Sequence, residues 1–128
     1  MAEKIDNIGK KILIVEDDED FSSILELKFK SEGFSVVKAG DGEEGVVIAE
    51  KEKPDLILSD ILMPKVDGLE MAKKIRLSDK NVPIIFLTNM KDVAYTRSIE
   101  EMGFHYLVKA DLRISEIVDK VKEKLGLK

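Results

Sequence analysis

The stretch Leu56-Ile57-Leu58-Ser59-Asp60-Ile61-Leu62-Met63-Pro64 places a carboxylate at the end of an apolar run, where the chain turns away. A short apolar run of this kind reads as a strand buried inside a parallel sheet. In open α/β sheets, chemistry collects at the carboxyl ends of such strands. Three other apolar runs end in the same way. Ile12-Leu13-Ile14-Val15 leads into Glu16-Asp17-Asp18, Ile84-Ile85-Phe86-Leu87 into Thr88, and Tyr106-Leu107-Val108 into Lys109. If these runs are parallel neighbours, three carboxylates, a hydroxyl and an amine converge on one pocket. That set can hold a small cation and accept a phosphoryl group.

Outward from these runs, strand and helix patterns alternate five times. The first strand is predicted over about Lys11 to Val15. A helix follows from about Asp18 to Ser31, with Phe21, Ile24, Leu25 and Phe29 on one face and Gly33 as its stop. Phe34 to Lys38 gives the second strand. Gly40-Asp41-Gly42 then turns into a second helix, although Gly45-Val46-Val47-Ile48 is poor helix material and could equally be extended. The third strand spans Asp55 to Asp60, and the third helix Gly68 to about Ser78, inward at Leu69, Ala72 and Ile75. Pro83 opens the fourth strand, which ends at Thr88. A fourth helix from about Lys91 to Met102 has a thin apolar face of Ala94, Tyr95, Ile99 and Met102. The fifth strand is His105 to Lys109. The last helix carries Ile114, Ile117, Val118, Val121 and Leu125 at helical spacing. Five strands alternating with five helices predict an α/β, doubly wound parallel sheet covered on both faces.

Composition narrows the function. The 128 residues suit one domain, with residues 1–10 as an N-terminal leader, residues 11–128 as the domain and no second domain after Leu125. A net charge of −5 argues against direct nucleic-acid binding, which needs basic patches. Without cysteine there are no disulfides and no thiolate metal sites. No apolar run approaches the roughly 20 residues of a membrane span, and the leader has no signal-peptide core. A cytoplasmic protein without membrane contact is expected.

Each chemical residue also has a structural reading. Acidic residues at Glu16-Asp17-Asp18-Glu19-Asp20 could serve a helix dipole, Asp60 a turn, Thr88 an N-cap, and Lys109 the solvated surface. Their shared placement at strand ends on one edge favours a site. Enzyme readings fare worse: neither a Walker loop nor a glycine fingerprint after the first strand is present. The second aspartate of a haloacid-dehalogenase-type phosphatase is missing, because Ile61 and Leu62 follow Asp60. His105 reads as structural.

From Lys11 to Leu125 the chain resembles the receiver domain of two-component response regulators, in particular the CheY-like single-domain type. The resemblance rests on Ile12-Leu13-Ile14-Val15-Glu16-Asp17-Asp18 and on Asp55-Leu56-Ile57-Leu58-Ser59-Asp60-Ile61-Leu62-Met63-Pro64-Lys65-Val66-Asp67-Gly68. Pro83-Ile84-Ile85-Phe86-Leu87-Thr88 and Tyr106-Leu107-Val108-Lys109 complete it. It implies a flavodoxin-like fold with sheet order 2-1-3-4-5 and a phosphorylation-dependent switch that catalyses only its own phosphorylation and dephosphorylation, with no turnover of other substrates. Asp60 would be the phosphoacceptor. Mg²⁺, for which Mn²⁺ could substitute, would be held by Asp17, Asp60 and the backbone carbonyl of Leu62, with Glu16 acting through water. Thr88 would bond a phosphoryl oxygen, Lys109 would pair with Asp60 and then with the phosphoryl group, and Tyr106 matches the aromatic switch position. A histidine kinase or histidine phosphotransfer protein would supply the phosphoryl group. A downstream protein target would read helix 4, strand 5 and helix 5. A degenerate receiver, binding partners without phosphorylation, is the alternative.

Three features depart from the family pattern. Ala110 stands where proline usually follows the lysine. A cis bond before a non-proline residue costs about 2.5–4 kcal/mol, which predicts a trans bond or a strained cis one held by its surroundings. The connection Gly103-Phe104-His105-Tyr106 is one residue shorter than usual. Asn89 follows Thr88, where a smaller residue is usual. With Leu62 and Met90, Asn89 is expected to hinder the hydrolytic water and lengthen the life of the phosphoryl group.

Overall fold

In the computed structural model, residues 9–61, 63, 65–88 and 93–127 are described, those at 93–95 by backbone alone. Five strands, β1 (Lys11–Val15), β2 (Ser35–Ala39), β3 (Leu56–Asp60), β4 (Ile84–Thr88) and β5 (His105–Val108), form one parallel sheet in the order β2-β1-β3-β4-β5. The helices are α1 (Glu19–Ser31), α2 (Gly42–Glu52), α3 (Gly68–Ser78), α4 (Val93–Glu101) and α5 (Ile114–Lys124).

Side chains alternate across a strand, so each central strand feeds two cores. Ile12, Ile14, Leu56, Leu58, Ile85 and Leu87 pack with Leu25 and Phe29 of α1 and Ile117, Val118 and Val121 of α5. Leu13, Val15, Ile57, Ile84 and Phe86 face the other way, onto Ala49 of α2, Met71, Ala72 and Ile75 of α3, and Ile99 of α4. Burial on both faces explains why β1, β3 and β4 read as continuous apolar runs. Edge-to-face rings join each core at its margin, Phe29 with Phe34 at 5.5 Å and Phe86 with Phe104 at 5.7 Å.

The helices start where the sequence supplies caps. The Asp18 carboxylate accepts from the N–H groups of Asp20 and Phe21, Asp41 from Glu44, and Asp67 from Glu70. The segment that could equally have been extended is helical. Glu44 returns a bond to the N–H of Gly40 at 2.6 Å, fixing the turn that starts α2. Gly45, unfavourable on propensity, is there for packing. A Cβ at that position would lie 2.6 Å from Met71 Sδ and 3.3 Å from both Val15 methyls. Close approach of α2 to β1 and α3 outweighs helix propensity.

Other boundaries shift slightly. β2 begins at Ser35 and includes Ala39, one residue later than predicted. β5 ends at Val108, and Lys109 opens a single tight turn, Lys109–Asp111. Ile24, expected inward, is 51% exposed, and Ser22 takes the buried position. The peptide bonds of the described residues, Lys109–Ala110 included, are trans. Among the described residues no helix is long and apolar enough to cross a membrane.

Gly42 is the tightest glycine contact. A Cβ there would meet the Val66 carbonyl oxygen at 2.0 Å, whereas one at Gly40 would meet nothing closer than 3.7 Å. Gly42→Ala is therefore expected to cost about 1–3 kcal/mol in urea unfolding, and Gly40→Ala less than about 0.5 kcal/mol. Equal midpoints for the two variants would contradict this packing.

Candidate functional site

The register of the sheet builds the site. Val15 lies beside Ser59, and one step further along the strands Glu16 reaches the level of Asp60. Asp60 in turn lies beside Leu87, one residue before Thr88, and Thr88 lies beside Val108, one residue before Lys109. Alternation sends Asp60 to the α1/α5 face, the side taken by Leu56 and Leu58. Glu16 continues the line of Ile12 and Ile14, and Lys109 that of Leu107. Thr88 follows Ile84 and Phe86 onto the opposite face, and Tyr106, beside Phe86, packs there too.

Glu16, Asp17 and Asp60 each offer an oxygen within 4.8 Å of the other two. Glu16 is only 4% exposed, Asp60 is half-buried and Asp17 is exposed. Lys109 Nζ donates to Glu16 Oε1 at 2.9 Å and to Asp60 Oδ2 at 3.3 Å. The second oxygen of each carboxylate is fixed by backbone: Glu16 Oε2 accepts from the Asp18 N–H at 3.1 Å, and Asp60 Oδ1 from the Ile61 N–H at 2.7 Å. Thr88 is buried. Leu62, Asn89 and Met90 lie outside the described residues.

Burial pushes the Glu16 carboxyl up to about 7. The Lys109 hydrogen bond opposes that rise, the Asp60 charge adds to it, and the Asp18 N–H and the Lys109 charge lower it. Lys109 moves the other way relative to its burial. Desolvation would lower it, but the Glu16 bond and the charges of Asp60 and Glu16 outweigh that and leave its pKa raised. The lysine is an ammonium at neutral pH, and Glu16 is the group near its titration point.

An all-oxygen set of three carboxylates, one buried, one half-buried and one exposed, suits a hard divalent cation such as Mg²⁺, which takes one or two carboxylates plus water and phosphate oxygens. A cation there would relieve the repulsion between Glu16 and Asp60 that helps raise Glu16.

Gly68 opens α3 directly against the site. Its N–H donates to the Ile61 carbonyl at 2.7 Å, and a Cβ on it would fall 2.4 Å from the Asp60 carbonyl oxygen. This contact lies inside the Asp55–Gly68 motif, where residue spacing alone gives no sign of it. Phe21 was placed in the core of the first helix, yet its ring also lies 4.6 Å from Lys109 Nζ. Helical spacing could not reveal a partner 88 positions away in sequence. His105 is exposed on β5 beside Lys124 of α5, apart from the carboxylates.

Residues 12–122 match the model of the response regulator receiver domain. The chain is 43% identical over 124 residues to the alkaline phosphatase synthesis transcriptional regulatory protein PhoP of Bacillus subtilis, covering 86% of this chain and 51% of that protein. It therefore spans about half the length of that relative. It is 33% identical to sporulation initiation phosphotransferase F of the same organism, over 94% of this chain and 98% of that one. Among solved structures it is similar to a chain of the CheX-CheY-BeF3-Mg+2 complex from Borrelia burgdorferi, with a TM-score of 0.86 and 27% identity over 98% of this chain and 99% of that one.

Glu16 carries a pH prediction. Its folded pKa of about 7 exceeds its ordinary value of 4.5, so the native state binds this proton more tightly than the unfolded chain. The stability of the metal-free protein should therefore fall as pH rises from 4.5 to 7 on account of this group. Urea midpoints with chelator should show that decline in the wild type and a flatter profile in Glu16→Gln. Parallel profiles would contradict the assignment.

Proposed function

The chain belongs to the response regulator receiver domain family, and on that premise we propose that it is a switch in which Asp60 accepts a phosphoryl group beside a bound Mg²⁺. The observation that carries this reading is the clustering of Glu16, Asp17 and Asp60 oxygens with the Lys109 ammonium against two of them. Asp17 and Asp60 would hold the metal directly, with Glu16 through water and the Leu62 carbonyl as a further ligand; Mn²⁺ fits the same oxygen donors. Bound there, the cation supplies positive charge to the phosphoryl oxygens as the group transfers.

The chain's own residues do the rest. An Asp60 carboxylate oxygen attacks phosphorus in line, forming an acyl phosphate while the phosphorus–nitrogen bond of a donor phosphohistidine breaks and its electron pair returns to the imidazole. Lys109, already 3.3 Å from Asp60, neutralises charge on the oxygens without changing its protonation. The Thr88 hydroxyl donates to a phosphoryl oxygen, and that movement draws Tyr106, which shares its face of the sheet, toward it. The surface of α4, β5 and α5 changes with Tyr106, and a target that prefers one arrangement shifts the population.

A histidine kinase or histidine phosphotransfer protein is the proposed donor, a downstream protein the proposed target, and the cytoplasm the proposed location of this chain. Reading residues 1–10 as a leader and 11–128 as the receiver belongs to the same proposal. The full set of Glu16, Asp17, Asp60, Thr88 and Lys109 argues against a degenerate receiver, in which loss of one or more of these groups would be tolerated.

Intact mass after incubation with acetyl phosphate and Mg²⁺ tests this. The wild type should gain one phosphoryl group, about 80 Da, with no gain in Asp60→Ala and a much slower gain in Asp17→Ala or with chelator. Decay of the adduct in buffer should take minutes or longer if Leu62, Asn89 and Met90 hinder water. No gain in folded wild-type protein would favour the degenerate reading, and a lifetime of seconds would remove the role of those three residues.

A further inference from the structure

The Lys109 ammonium has two anions on one side and an aromatic face on another. Its Nζ is 2.9 Å from Glu16 and 3.3 Å from Asp60, and it stands 4.6 Å from the centroid of the Phe21 ring. Only 14% of the Lys109 side chain is exposed. The ring is itself held in place. Phe21 lies in the first turn of α1, its N–H donates to the Asp18 cap at 3.2 Å, and its side chain packs against the α1/α5 core. A cation within about 6 Å of an aromatic centroid is attracted by the ring quadrupole, more strongly when water is excluded. Leucine would fill much of the same space without that field.

We propose that Phe21 is a positioning residue for Lys109, its ring face holding the ammonium at Asp60 and keeping it from swinging along α1 into water. This rests on the switch reading given above. The lysine stem is long and flexible, so an unheld ammonium spends part of its time away from Asp60, and the phosphorylation rate falls by that fraction. The bonds to Glu16 at 2.9 Å and Asp60 at 3.3 Å hold the ammonium from the carboxylate side only, and Phe21 is the group at 4.6 Å on another side. The ring closes the third side. Asp18 serves the arrangement twice, capping α1 through its carboxylate and holding Glu16 through its N–H.

Two readouts test it. In metal-free protein, the Lys109 Hε protons should be shifted upfield by the ring current, and the shift should vanish in Phe21→Leu. With acetyl phosphate and Mg²⁺, Phe21→Leu should be phosphorylated about threefold to tenfold more slowly than wild type. Replacing Phe21 by phenylalanines of increasing ring fluorination keeps the shape and weakens the quadrupole. The rate should fall stepwise along that series at unchanged melting temperature. A rate indifferent to fluorination would overturn the proposal and make Phe21 a packing residue, as would unshifted Lys109 protons in the wild type. A clear ring-current shift in a wild type that gains no phosphoryl group would instead overturn the switch reading and remove the rate role with it.

Discussion

Two carboxylates, Glu16 at the end of β1 and Asp60 at the end of β3, are brought to the same level of the sheet by strand register, and Lys109 Nζ stands between them. Removing one partner from a buried ion pair costs about 3–5 kcal/mol, because the remaining charge is left uncompensated. Here Glu16 has a partial escape, since burial already holds its pKa near 7 and it can take up a proton. A proton on Glu16 would thus stand in for part of what the ammonium does. Ammonium, proton and cation can each relieve the same repulsion, and an incoming phosphoryl anion would redistribute all three. Lys109 is placed to follow that redistribution because it is already bonded to both carboxylates.

The sheet enforces the division of labour. Asp60 and, by continued alternation, Glu16 and Lys109 face α1 and α5, where Phe21 meets the ammonium. Thr88 and Tyr106 face the α2–α4 side. A charge change at Asp60 is felt directly by Lys109 and, through it, by Phe21 of α1; the proposed switch would add a second route through Thr88 and Tyr106 on the other face. Gly68, with no room for a Cβ against the Asp60 carbonyl, ties the start of α3 to the same strand end. Chemistry and packing meet within a few residues of Asp60.

Much of this was legible in the sequence. The buried strands announced themselves because both faces of β1, β3 and β4 are covered, and their chemical residues fell where each run stopped. The sheet order needed the family resemblance, since periodicity contains no information about which strands pair. The helical nature of α2 was hidden because Gly45 answers to Met71 and Val15, both distant in sequence. Ile24 misled for the opposite reason. Its spacing fits the inward stripe of α1, but the stripe is centred on Leu25 and Phe29, leaving Ile24 at its edge in solvent. Phe21 was read as core, and half of that reading holds; its contact with Lys109 depends on the whole topology.

The proposed switch stands on Asp60, alone among the clustered carboxylates, taking the phosphoryl group. Borohydride reduction after treatment with acetyl phosphate and Mg²⁺ tests it most directly, because an aspartyl phosphate is reduced to homoserine while a free carboxylate is untouched. Peptide sequencing should find homoserine at position 60 and aspartate unchanged at position 17. Homoserine at position 17, or none at either position in protein that has gained phosphoryl mass, would contradict the account.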